Sequence, residues 1–259
     1  MTTTPRDNAL LREILADERT ETTSAPTSAN EAFLARSFLE YVHERYNGTR
    51  LGRQELEGQV LTAPEGALWK RDQLDLCRGA APESFTRIVV AVDPPVTSKA
   101  TSDQCGIIVA GLVAEGPPKD WRVYVLEDAS LRAAPTDWAK RVVAMYEKHQ
   151  ADRVVAEVNQ GGDLVAAMIH SIDPTVAYTP VTATKGKVVR AEPVAALYEQ
   201  GRVFHAAPFE ALEDQMCAMT VKGYVDPGSP DRADALVWAV TELLVSNPGR
   251  LQNPSVRPL

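Results

Sequence analysis

The apolar positions of this chain change their rhythm near Pro82. Before it, "RDNALLREILADER" places Leu10, Leu11, Ile14 and Leu15 at helical spacing, and "ANEAFLARSFLEYVHERYNG" places Phe33, Leu34, Phe38, Leu39 and Val42 on one side of a helix ending near Gly48. Residues 1–80 thus read as short helices without a large core of their own. After it, short strand-like runs appear at 87–92, 105–113 and 121–127; "AEGPPKD" between the last two suits a hairpin link. A helix is expected at 135–150, with Thr136 as a possible cap, then a buried-type strand at 152–159 and a helix from "GGDLVAAMIHSI". "TVAYTPV" and "RVFHA" read as strands, and "FEALEDQMCAM" as a helix. "KVVRAEPVAALYEQG" is helical in pattern, with a late start or kink at Pro193. The last helix is expected at 229–246, capped by Ser229 with Pro230 at its first position. Short links make the first three strands antiparallel neighbours, and a helix before the fourth permits parallel pairing.

This order of elements resembles the ribonuclease-H-like fold: an α/β arrangement with a mixed central sheet flanked by helices, here preceded by a short helical N-terminal segment. With 259 residues and 44% apolar content, one large domain or a domain with an appendage is expected. No apolar run approaches the roughly 18 residues of a membrane span, and the N-terminus lacks the pattern of a signal peptide. Cys77, Cys105 and Cys217 are odd in number and form no CxxC pair, which points away from a disulfide framework or a zinc knuckle. The net charge of −8 argues against a nucleic-acid partner, except where a metal nuclease gathers carboxylates that divalent cations offset locally.

Three acids stand at comparable places. Asp93 ends the first apolar run, Glu157 ends "RVVAE", and Asp234 lies early in the last helix, with Asp231 as a secondary candidate one turn before it. Each has a plain alternative. Asp before Pro is a common turn former, Glu157 could be a sheet-edge charge, and Asp231 and Asp234 suit the helix dipole. Together they form a set of hard oxygen donors suited to Mg²⁺ or Mn²⁺. Two such ions roughly 3.5–4 Å apart can flank a scissile phosphate, with Asp93 bridging and Glu157 and Asp234 completing one shell each.

The motifs "GTRLGRQELEGQ" (48–59), "EGALWKRD" (65–72), "AEVNQGGD" (156–163) and "SPDRADALVWAV" (229–240) resemble the large terminase subunit of tailed phages and gene transfer agents. The resemblance implies that residues 1–80 are the end of a packaging ATPase and its linker, 81–248 a ribonuclease-H-like nuclease and 249–259 a tail. It implies a metal-dependent endonuclease that cuts concatemeric double-stranded DNA during packaging. Asp93, Glu157 and Asp234 would be its catalytic metal ligands, holding two Mg²⁺ or Mn²⁺ ions. Portal protein, small terminase and the rest of the ATPase would be its partners, no membrane would be involved, and its place would be the bacterial cytoplasm and, transiently, the capsid portal vertex. The GxxxxGK[ST] loop of a packaging ATPase does not occur, so no ATP hydrolysis is expected of this chain. A junction resolvase or transposase core of the same fold, and a non-catalytic packaging adaptor, are the competing readings.

The turn "NQGGD" would let backbone approach the site at Gly161 and Gly162, if it is more than an ordinary tight turn; Asp163 reads as a cap. Lys185, Lys187 and Arg190 cluster in an otherwise acidic chain and are candidate DNA phosphate contacts, or else a solvated face. Arg232 is a fourth candidate, or a partner of Asp231 or Glu157. His170 and His205 are expected to be partly buried, His149 exposed, and Trp121, Trp138 and Trp238 packing residues.

Overall fold

The computed structural model describes residues 9–40, 56–58, 64–95, 104–158 and 162–246. In chain order its elements are α1 (Ala9–Ala16), α2 (Arg71–Leu76), β1 (Arg87–Asp93), β2 (Gly106–Val113), β3 (Arg122–Asp128), α3 (Pro135–Lys148), β4 (Arg153–Glu157) and α4 (Gly162–Ile172). There follow β5 (Tyr178–Val181), α5 (Lys187–Glu199), β6 (Val203–His205), α6 (Glu210–Cys217), the β7–β8 hairpin (Met219–Thr220, Gly223–Tyr224) and α7 (Asp231–Val240). Past α7 the chain continues as a π-helical segment, Thr241–Val245.

Six strands form one sheet in the order β5-β4-β1-β2-β3-β6. β1, β2 and β3 pair antiparallel, while β4 joins β1, β5 joins β4 and β6 joins β3 in parallel. Helices intervene before each parallel addition, because a parallel neighbour requires a crossover. Alternation along the strands divides the core in two. Val90, Val92, Ile107, Val109, Val154 and Ala156 pack on one face with Trp138, Val142 and Ile169 from α3 and α4. Val89, Ala91, Ile108, Ala110 and Val155 pack on the other with Ala235, Leu236, Ala239 and Val240 of α7 and with α5 and α6. That second face carries the chemistry.

Several local expectations change. The helix expected at 29–48 is a 3₁₀ segment, Thr27–Phe33, broken at Leu34, which is extended (φ −104°, ψ 144°); helix resumes at 36–40, and residues 41–55 lie outside the described set. Phe33 and Phe38 are exposed, and among the described residues of that stripe Leu39 alone is buried, since the break ends the common face. Thr136 does not cap α3, which starts at Pro135 after Ala134. Pro230 is the residue before α7, so Ser229 is no cap. Pro193 neither delays nor breaks α5; its i−4 residue, Val189, is on the solvent side, where water can satisfy the carbonyl that proline leaves unbonded. The β7–β8 hairpin was not legible, because two-residue strands carry no period.

The segment 64–80 packs into the second face. Trp69 and Leu74 are fully buried there with Tyr198, the Leu68 N–H donates to the Met219 carbonyl (2.8 Å), and the His205 N–H donates to Cys77 (2.9 Å). Residues 64–80, on the N-terminal side of the division expected at residue 80, thus pack against α5, β6, α6 and β7. Glu213 clamps the join. Its carboxylate, with no exposed surface, accepts hydrogen bonds from Arg71 (2.7 Å), Arg78 (2.9 Å) and His205 Nδ1 (3.1 Å), while Tyr198 O–H and His205 Nε2 lie 2.7 Å apart. His205 is thus wholly buried rather than partly.

Burial opposes ionisation of Glu213, but His205, Arg71 and Arg78 outweigh it and lower its pKa to about 2. A carboxyl whose folded value lies below its unfolded value stabilises fully above the latter and loses that contribution as pH falls through the former. We expect stability to decline between about pH 4.5 and 2, by at most on the order of 3 kcal/mol. Denaturant titrations of wild type and Glu213→Gln across that range check this; the variant should lack this part of the decline.

Candidate metal centre

Register brings the acids together. Val92 pairs with Ala156 across β1 and β4, so Asp93 and Glu157 stand one step further on adjoining strands, at the same end of the sheet. Both have the parity of the second face, Asp93 with Val89 and Ala91 and Glu157 with Val155. α7 crosses that face. Its first-turn acids, Asp231 and Asp234, are three residues apart and share one side of the helix.

The approach of α7 depends on Gly106, which pairs with Asp93 across β1 and β2. A methyl group on Gly106 would fall inside the carbonyl of Asp231 and meet the Ala235 side chain at 3.2 Å. Backbone therefore lies on backbone where Asp231 and Asp234 enter the cluster.

The charges are crowded. Burial, and then the like charges of Asp234, Asp231 and Glu157, push the Asp93 carboxyl well above its usual range, with Lys187 partly opposing them. Burial also raises Asp234, against the pull of Lys187 and Arg190. The buried thiol of Cys105, next to Gly106, is pushed well up by desolvation and by Asp93 and Asp231, which keeps it a neutral, unreactive neighbour.

Two cations enter the cluster. Lys187 Nζ donates to Asp234 Oδ2 (2.5 Å) and to Ser229 Oγ (3.0 Å). Arg190 donates to Glu157 Oε2 (2.9 Å), lies 3.7 Å from Asp234 Oδ1, and stacks over the Trp238 ring at 4.6 Å. The Trp238 indole N–H donates to the same Glu157 oxygen (2.8 Å), so this tryptophan orients a site residue as well as packing. Among the described residues no group of three His, Cys, Asp or Glu side chains stands ready to hold an ion as it lies. Lys187 occupies Oδ2 of Asp234, while Arg190 and the Trp238 indole share Oε2 of Glu157.

The four candidate carboxylates, Asp93, Glu157, Asp234 and Asp231, thus gather at one rim. Of the basic candidates, Lys187 and Arg190 are inside this cluster rather than on a separate basic surface. Lys185 is exposed in the turn before α5. Arg232 pairs with Asp128 at the end of β3, not with Asp231 or Glu157, because it projects from the side of α7 that meets that strand end. Gly162 opens α4; Gly161 lies outside the described residues. His149 is mostly covered and 2.7 Å from Glu127, contrary to the exposed position expected of it. Sequence reasoning passed over Gly106 and the contacts of Ser229 and Trp238. The i+4 spacing of Asp234 and Trp238 was the one available signal for the last of these.

The donor set fits hard divalent cations. Four carboxylates face two cationic side chains at the rim, all donors are oxygens, and Asp93 is disfavoured as an anion without further positive charge. No helix among the described residues is long and apolar enough to cross a membrane.

Among solved structures, the large terminase of a thermophilic bacteriophage aligns with 84% of this chain and 55% of its own, at 12% identity and a TM-score of 0.50. The chain therefore spans about half the length of that protein. The large terminase nuclease of another thermophilic phage, G20c, aligns with 68% of this chain and 98% of its own (18% identity, TM-score 0.47). Its magnesium-bound form covers 64% and 85%, at 19% identity and a TM-score of 0.45. No curated protein sequence matches. The profile of the terminase RNase H-like domain matches residues 90–243, a span that runs from β1 into the π-helical segment and includes all four carboxylates. Matched over more than half its length by that profile, and with the mixed six-stranded sheet it implies, the chain belongs to the terminase RNase H-like domain family.

Proposed function

We propose that this nuclease domain is a divalent-metal-dependent endodeoxyribonuclease that cuts concatemeric double-stranded DNA during the packaging of a viral or phage-like genome. The observation that carries the reading is the gathering of Asp93, Glu157, Asp231 and Asp234 at one end of the sheet, where burial and like charge push the Asp93 carboxyl above its usual range. Functional sites are where such unfavourable charge is concentrated.

Asp93, Glu157 and Asp234 would hold two Mg²⁺ or Mn²⁺ ions, with Asp231 as an auxiliary. Such ions would activate water and stabilise the leaving 3′-oxygen in phosphodiester hydrolysis. The protein's own contribution is orientation. Arg190 and the Trp238 indole hold Glu157, and α7, laid on Gly106, delivers Asp234 to the partly buried end of β1. Lys185, exposed in the turn before α5, would meet backbone phosphate, a contact that salt should weaken. ATP hydrolysis and translocation would belong to other parts of the packaging motor, with portal and small terminase as partners at the capsid vertex.

Supercoiled plasmid incubated with Mn²⁺ should be nicked and then linearised, with EDTA stopping the reaction. Intact plasmid after prolonged incubation of folded protein with Mn²⁺ or Mg²⁺ would count against the nuclease reading.

A further inference from the structure

We propose that Lys187 is a displaceable counter-ion: its ammonium neutralises Asp234 in the metal-free protein and must leave that carboxylate before a divalent cation can be seated, whereas Arg190 stays in place. The inference rests on the metal-dependent reading above and adds a competition built into the chain.

The two cations are held very differently. Arg190 projects from within α5, and its side chain is only 11% exposed. Its guanidinium is fixed by the Trp238 ring beneath it and by Glu157 beside it. Withdrawing it would break the stacking and strand a buried charge. Lys187 is the first residue of α5, follows Gly186, and is 44% exposed along its side chain. Its flexible stem can swing into water at little cost. Its contact is nevertheless close, 2.5 Å to Asp234 Oδ2 with Ser229 Oγ as a second support. A lysine ammonium carries its charge at neutral pH, so the contact is an ion pair.

A divalent ion binding Asp234 would take up the carboxylate whose negative charge holds Lys187 and would repel the ammonium. Ion and ammonium therefore exclude one another, and the intrinsic affinity for metal is reduced by the strength of the pair. Once released, the ammonium remains at the rim beside the carboxylates, where substrate phosphate would come. One side chain would then neutralise the acids in the absence of metal and meet phosphate in its presence.

The test measures Mn²⁺ binding without DNA, by the electron paramagnetic resonance signal of free Mn²⁺, together with thermal melting. Lys187→Met should bind Mn²⁺ about fivefold more tightly than wild type, the equivalent of about 1 kcal/mol for a half-exposed pair. It should melt below wild type in EDTA, and the difference should shrink in saturating Mn²⁺. Lys119→Met makes the same charge change in the β2–β3 link, at the opposite end of the sheet, and should leave Mn²⁺ affinity unchanged. Lys187→Arg, which keeps a cation at the position, should not tighten binding even if the Met variant folds poorly. Unchanged or weaker Mn²⁺ binding by folded Lys187→Met, or tighter binding by Lys187→Arg, overturns the counter-ion role while leaving the metal centre intact. Absence of Mn²⁺ binding by wild type and Lys187→Met alike would remove the metal-dependent reading itself, and this inference with it.

Discussion

Asp93→Asn should lose DNA cleavage by at least about a thousandfold while remaining folded, because a neutral amide holds a divalent cation far more weakly than a carboxylate and several kcal/mol of transition-state stabilisation would go with it. The same change should leave the metal-free protein at least as stable as wild type at neutral pH. Asp93 is pushed well above its usual range by burial and by three like charges. A carboxyl whose folded pKa is raised contributes stability below its unfolded value, and that contribution is lost as pH rises through the folded value. At neutral pH the wild type bears the cost of holding that carboxyl away from its usual range, and the asparagine variant does not. Plasmid linearisation rates and thermal melting in EDTA, measured on one preparation, separate the two effects. A variant that cuts at the wild-type rate would exclude Asp93 as a ligand. A variant that melts far below wild type would mean that the carboxylate serves the fold instead.

Gly106→Ala should have the second large effect, about 3 kcal/mol or more of lost stability together with lost cleavage. The added methyl overlaps the Asp231 carbonyl, which is backbone and cannot rotate away. Relief requires α7 to lift from the sheet, carrying Asp231 and Asp234 away from Asp93. Gly111 makes a useful contrast within β2. A methyl there meets only the Phe85 ring, at 2.5 Å, and a side chain can turn. Urea titration should therefore find Gly111→Ala the milder substitution, with cleavage retained. Equal effects at the two positions would mean that the α7 contact is not what places the acids.

The two variants probe different kinds of information. The strand Ile88–Val92 and the acid that follows it were legible in the sequence, because a buried strand needs an unbroken apolar run and the acid ends it. The same holds for Glu157 after β4. Local chemistry misled where a plausible cap existed. Ser229 and Thr136 have the right side chains, but Ser229 is taken by Lys187 and Pro135 begins its helix without a side-chain cap. Lys187 and Arg190 read as a basic surface when their spacing on one helix was all that could be seen. Only packing α5 beside α7 put them among the acids.

Periodicity and strand order sufficed for the class of fold and for singling out Asp93, Glu157 and Asp234 as candidates, since both depend on residue type at positions near in sequence. Which face the strand acids share with α7, that Gly106 admits the helix backbone, and that two cations neutralise the cluster were decided by contacts between segments tens of residues apart. Such contacts depend on strand register and helix approach, and a local pattern of apolar and polar residues encodes neither.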